Sequence, residues 1–371
     1  MAVISGRYGS VQRLLPTLID PATGAYTWQT VDPAALADFG AFTEKAGPNI
    51  TDDPGSSGTA HEGDPTTVSS ITSWSLENTV QPISYIASNT RGYQGKLEGL
   101  HSCTGQIAGL GGCPPIAPGQ RFKFLGYVGP TSGKLDDKVG HVYQIAAIAN
   151  SVQVQINYQM SNPITWTVGW QSDWKQSGDE LMHNPSGIAG FWDYTKPPCS
   201  TLMPSRTCAL SIGDVVSADE LCLVDANIQF STEVANFANS CSAVAGGWQT
   251  CTVGATNCTL NANIHGNHYG IISSTHLPGT DHNVRLYVEG GALQAGETCE
   301  SKAYWEFEKM FFGSFGGLNV DVTTNNPVQF SCAMEFNAYP GCNPGYIKYN
   351  PGGTGDAVFF VDLRPDSEKS E

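Results

Sequence analysis

Three short blocks occur in the same order in both halves of the chain, and any fold proposed for it has to accommodate them twice. NPITWTVGW (Asn162 to Trp170) returns as NPVQFSCAM (Asn326 to Met334), each a turn followed by alternating large residues. PGQRFKFLGYVG from Pro118 is answered by PGTDHNVRLYVEG from Pro278, and SCTGQIAG around Cys103 by NCTLNANIHG around Cys258. The offsets are 155 (103 to 258), 160 (118 to 278) and 164 (163 to 327) residues. Pro-Gly and Asn-Pro mark turns, and alternation marks half-buried strands. The shared order and slowly drifting offset therefore predict a duplicated β unit with diverged loops. Such a repeat lets few subunits build a ring of higher pseudo-symmetry.

A chain of 371 residues has room for two domains, each with its own core. Charged residues make up only 14%, and 42 glycines and 22 prolines favour strands and loops over long helices. The expected fold class is mainly β: two tandem sandwich or barrel-forming β domains with a few short helices. The first domain spans 1–172 with an N-terminal arm and a polar loop at 47–67. A linker follows at 173–221, then a diverged second domain with a C-terminal tail at 222–371. Short helices are expected after Asp32, where a cap precedes Pro33, and near Ser217 to Leu221. The clearest hairpin sets Val152, Val154, Ile156 and Tyr158 against Ile164, Trp166, Val168 and Trp170. YWEFEKMFF (Tyr304 to Phe312) is the most apolar run, and its periodicity fits a core strand or a short helix.

No apolar run approaches the roughly 18–20 residues that span a bilayer, so membrane insertion is not expected. The N-terminus has neither a basic start ahead of a long apolar core nor a small-residue cleavage site, so no secretion signal is expected. Eighteen Lys and Arg against 34 Asp and Glu give a net charge of −16. That argues against sequence reading of nucleic acid, which needs cations on phosphates. It leaves room for a surface past which nucleic acid slides.

Residues that carry chemistry are sparse. No nucleophile elbow, phosphate loop, HExxH or dinucleotide fingerprint occurs, and neither catalysis nor a cofactor is expected. His265 and His268, with His276, Asp281 and His282 nearby, are weak metal candidates without a helix to fix their geometry. Glu306 and Glu308 stand two apart, as an acid/base pair or as the solvated side of a strand. Trp74, Trp166, Trp170, Trp174, Trp192, Trp248 and Trp305 fit a glycan platform, or a core where they alternate. Among 11 cysteines, four pairs lie nine or ten apart: Cys103–Cys113, Cys199–Cys208, Cys241–Cys251 and Cys332–Cys342. The spacing fits disulfides that staple loop ends and equally buried thiols acting as small hydrophobes.

The first half carries a further series of motifs: GRYGSVQ (Gly6 to Gln12), SWSLEN (Ser73 to Asn78), YIASNTRGYQGKLEGLHSCTGQIAG (Tyr85 to Gly109), the strand from Pro118, and HVYQIAAIANSVQVQINYQMSNPITWTVGWQS (His141 to Ser172). In this order they resemble the major tail tube proteins of long-tailed bacteriophages over about 170 residues. The second half keeps only the later blocks. The resemblance implies a tail-tube-like β domain in each half, with inner strands combining into a continuous barrel around a channel. It implies a virion protein made in the host bacterial cytoplasm, and three chains, each a fused double domain, forming a pseudo-hexameric ring that stacks for DNA ejection. Implied partners are further copies, a tape-measure protein, the tail terminator and distal tail proteins, with double-stranded DNA passing non-specifically. Acids lining the lumen would repel DNA within a Debye length of about 8–10 Å; Asp136, Asp137, Glu77 and Glu98 are the candidates. The other reading is an acidic β-sandwich that binds glycans or adheres at a virion surface.

Overall fold

Alternation along the strands decides which side of each faces inward. In Thr165–Ser172 every second residue, Trp166, Val168, Trp170 and Ser172, is buried, as are Val152, Val154 and Ile156 on the strand beside it. The structure is a computed structural model that describes residues 10–14, 16–20, 25–28, 41–42, 69–87, 89, 91–128, 141–157, 163–184, 208–213, 219–237, 247–265, 278–288, 302–315, 329–338, 345–351 and 357–364. These residues are mainly β, dominated by one large antiparallel sheet. None of their helices is long and apolar enough to cross a membrane.

The first half holds β1 (Ser10–Leu14), β2 (Pro16–Asp20), β3 (Ala25–Trp28), β4 (Ala41–Phe42), β5 (Ser69–Val80), β6 (Ile83–Tyr85), β7 (Gly95–Leu97), β8 (His101–Leu110), β9 (Arg121–Val128), β10 (His141–Asn157), β11 (Thr165–Ser172) and β12 (Met182–Asn184). The second holds β13 (Ala209–Ile212), β14 (Asp219–Phe237), β15 (Thr250–His265), β16 (Asp281–Tyr287), β17 (Tyr304–Phe315), β18 (Gln329–Phe336), β19 (Tyr346–Asn350) and β20 (Val358–Asp362).

Six strands of each half pair in one order: β1-β9-β10-β11-β8-β5, and β13-β16-β17-β18-β15-β14. The match extends to irregularities. β10 bulges between Ala149 and Ser151 where it meets β11, and β17 bulges between Phe312 and Ser314 where it meets β18. β5 shifts register between Ile71 and Ser73, and β14 between Leu223 and Asp225. Both Pro-Gly turns make the same pair of bonds. Gly119 N–H donates to Ala149 at 2.9 Å and Ala149 N–H to Gln120 at 3.0 Å; Gly279 N–H donates to Phe312 at 2.9 Å and Phe312 N–H to Thr280 at 3.0 Å. Gly119 and Gly279 have φ of 73° and 93°, where a β-carbon is unfavourable.

The core lies between each unit's curved strands. Phe124 on β9 packs edge-on against Trp74 on β5 at 5.5 Å and lies 4.9 Å from Trp170 on β11. In the second unit Trp305 stands 4.7 Å from Phe360 and 6.1 Å from Phe230. One continuous apolar cluster runs through both units. The buried Trp305 indole crosses between them, donating to the Gly112 carbonyl at 2.9 Å.

Two expectations change. Asp219–Leu221, read as part of a short helix, open the long strand β14, because the β13 strand beside them offers a ladder through Leu210 and Leu221. The stretch 173–221, read as a linker, carries β12, paired with β10, and β13, the counterpart of β1. The expected helix after Asp32 and the loop 47–67 lie outside the described residues.

Candidate assembly interface

The two units are joined edge to edge. Past its bulge, β10 leaves β9 and takes β14 on the same side, with Ser151 opposite Ser231, Val154 opposite Ile228 and Asn157 opposite Asp225. Val152, Val154, Ile156, Ala226, Ile228 and Phe230 are buried there. Gln153 Nε2 donates to Asn227 Oδ1 at 2.9 Å on the opposite face.

Among the described residues, the counterparts of these two edges have no strand partner. β17 is the counterpart of β10, and past its bulge Ser314 and Phe315 pair with β18 on one side and no described strand on the other. β5 is the counterpart of β14, and beyond Ser70 its outer edge has no strand partner among the described residues. Beyond the ends of β5 and β8, the β6–β7 hairpin exposes Ile83 (57%), Leu97 (55%) and Tyr93 (80%). Open edges and clustered apolar exposure are liabilities that a pairing partner removes.

A polar clasp locks the internal joint. Asp173, just past β11, accepts from Arg121 Nε at 2.8 Å and from the Cys251 N–H at 2.9 Å. Arg121 also reaches Asp179 at 2.8 Å, so two buried carboxylates share one guanidinium, helped by Lys175 at 3.7 Å from Asp173. Lys175 Nζ donates to the Cys251 carbonyl at 3.0 Å. Burial pulls the Lys123 amine below its ordinary value while Asp179 and Glu180 oppose the shift.

The sheet has a second, solvated face. Ser73, Ser75 and Glu77 on β5, Thr104 and Gln106 on β8, Gln153 and Gln155 on β10, Asn227 and Gln229 on β14, and Asn257 and Asn261 on β15 are exposed or half-buried there. β5, β8, β10, β11, β14, β15 and β18 contain no lysine or arginine. Cations sit instead on β1, β9, β16, β19 and the first half of β17, as Arg13, Arg121, Lys123, Arg285, Lys348 and Lys309.

No protein-family model matches the chain, and no curated protein matches it.

The sequence-expected residues are dispersed. Glu77 is exposed on β5, Glu98 bonds His101 Nε2 at 2.8 Å, and Asp136 and Asp137 lie outside the described residues. His265 ends β15, and His268 lies outside the described residues. No group of three His, Cys, Asp or Glu suited to a metal occurs among the described residues. Glu306 is buried and held by Arg285 Nε at 3.0 Å and Lys348 at 2.9 Å. Burial alone would raise its pKa, but Lys348 and Arg285 together outweigh it and hold the carboxyl below its ordinary value. Burial raises Glu308. Trp166, Trp170, Trp248 and Trp305 are buried, while Trp74 and Trp174 pack against the core; Trp192 lies outside the described residues.

Of the two readings of the cysteines, the described residues follow the buried-thiol one: Cys103, Cys208, Cys251, Cys258 and Cys332 are free and buried. The expected partners Cys199, Cys241 and Cys342 lie outside the described residues, and the Cys113 thiol donates to the Pro114 carbonyl at 3.6 Å. Burial pushes Cys103, Cys208 and Cys332 up to about 12 and Cys251 to about 11.

The clasp and the free edges were not legible in the sequence. Arg121 and Asp173 lie 52 residues apart in the chain, and no local pattern signals an open ladder.

Proposed function

We propose that this chain is the structural subunit of a bacteriophage tail tube, polymerising head to tail into stacked rings around a channel for DNA ejection. The observation that carries the reading is the β10–β14 joint, whose two edges recur as the end of β17 and the outer edge of β5, neither with a strand partner among the described residues. A heterologous contact of this kind closes into a ring when its rotation permits. Each chain supplies two like units, so three chains make a pseudo-hexameric ring of tail-tube-like domains. The lysine- and arginine-free face is the surface such a channel needs, because counterion release on cations is what makes proteins hold DNA. Tape-measure, terminator and distal tail proteins would then be its axial partners, and the virion its location.

Negative-stain electron microscopy with native mass spectrometry tests this. Hollow stacked rings with three chains per ring are expected. A dispersed monomer across concentration and salt overturns the tube and returns the chain to the glycan-binding alternative, to which the burial of Trp166, Trp170 and Trp305 gives little support.

A further inference from the structure

The internal joint is a template for the joint between copies, and reading it residue by residue specifies a contact. In the joint, the far end of the β14–β15 hairpin lies over the end of the first unit. Asn236 and Cys251 stand opposite each other on that hairpin. Gln171 Nε2 donates to Asn236 Oδ1 at 2.6 Å and approaches Cys251 Sγ at 3.1 Å. The Cys251 N–H donates to Asp173 Oδ1 and the Cys251 carbonyl accepts from Lys175 Nζ.

Each of these positions has a counterpart. Ser84 and Lys96 stand opposite each other across β6–β7, as Asn236 and Cys251 do across β14–β15. Gln171 pairs with Thr104 on β8, and Glu335 pairs with Thr259 on β15. Arg121 opens β9 and Asp281 opens β16. Asp173 N–H donates to Ala146 and Asn337 N–H to Lys309, and Asn337 Nδ2 reaches Asp281 at 3.1 Å as Arg121 reaches Asp173. The cover over the turn follows suit. A β-carbon on Gly119 would meet Val253 at 3.2 Å and Thr232 at 3.5 Å, whereas one on Gly279 would meet nothing within 4 Å. The counterpart of Thr232 is Val80, 40% exposed.

We propose that the β6–β7 hairpin of one copy docks on the β16–β18 end of the next, with Lys96 seated between Glu335 and Asp281 of the neighbouring copy. This rests on the head-to-tail reading above. The charges fit that occupant: the internal joint sets a neutral thiol beside Gln171, while this joint sets an ammonium beside two carboxylates. Ser84 takes the place of Asn236 beside Glu335, and Val80 covers Gly279. Lys96, Glu335 and Asp281 are exposed in the single chain, so the contact is available and its loss leaves the fold intact.

The test combines zero-length carbodiimide coupling with a charge swap, on the full chain. Coupling should yield an intermolecular Lys96–Glu335 or Lys96–Asp281 amide in peptide maps of assembled material and none in monomer. Lys96→Glu and Glu335→Lys should each raise the concentration needed for assembly by about tenfold. The double variant should return to within about threefold of the parent, with circular dichroism unchanged throughout. Rings that form at the parental concentration in both single variants, without that amide, overturn this register and leave the tube standing. Failure of the parent chain to assemble at all overturns both.

Discussion

A β-carbon on Gly105 would need space taken by the Trp170 indole on one side and the Ser75 carbonyl on the other. Gly105 and Trp170 face each other across β8 and β11, and at the matching place in the second unit Leu260 faces Met334. One unit solves the position with the largest and smallest residues, the other with two of middling volume. Gly105→Leu alone should cost about 1–3 kcal/mol through overpacking. Gly105→Leu with Trp170→Met should recover only part of that, because the smaller side chain removes the indole clash while the Ser75 carbonyl still blocks the β-carbon. Urea midpoints of the two variants check this, and strictly additive losses would show that the positions are not equivalent.

Stability should fall on acidification through Glu306. Its folded pKa lies below its unfolded value, so the contribution is complete above about pH 4.5 and is lost as pH falls through the folded value. Glu308 has the opposite sign: its folded pKa is raised, so its contribution is present at low pH and lost as pH rises through the folded value. Glu306→Gln leaves Arg285 and Lys348 without their counter-charge and should cost about 2–4 kcal/mol at pH 7. That deficit should shrink towards pH 3, whereas Glu308→Gln should be neutral to mildly stabilising at pH 7. Denaturation midpoints between pH 3 and 8 read both.

Five of the thiols should take no part in any disulfide of the native protein. Cys103, Cys208, Cys251, Cys258 and Cys332 are buried thiols whose ionisation burial opposes, and the thiolate is the reactive form. Alkylation of the native protein at pH 8 should leave these five unlabelled in peptide maps, and urea should expose all of them together. A disulfide-linked peptide containing any of the five would contradict the structure.

Turn and alternation signals made much of the fold legible. The blocks at Cys103 and Cys258, Pro118 and Pro278, and Asn162 and Asn326 became β8 and β15, the paired Pro-Gly turns, and the hairpin strands β11 and β18. Periodicity failed at YWEFEKMFF for a definable reason. Lys309, with φ of 65°, interrupts the strand, so Trp305 and Phe307 face the core before it and Met310 and Phe312 after it, out of phase. β13 was hidden because four residues, Ala209–Ile212, carry too little pattern, all being buried. The joint was hidden because a ladder between Val154 and Ile228 uses backbone groups that every residue has.

The solvated face supplies the last prediction. Gln155, Gln229 and Asn261 are exposed on it, and Gln155 and Asn261 lie either side of Asn227 in one row. In a channel for DNA, such a row works because amides offer hydrogen bonds without fixed charge, while acids such as Glu77 repel phosphate at short range. Gln155→Lys, Gln229→Lys and Asn261→Lys together should leave folding and ring formation intact, since all three sites face solvent on established strands. Assembled tubes of this variant should retain double-stranded DNA that the parent releases. Retention should weaken with salt, with a slope of about −0.9 in log K against log salt for each phosphate contacted. Fluorescence anisotropy of a labelled duplex over a salt series measures it. If the lysine variant holds DNA no better than the parent, this face does not line the channel.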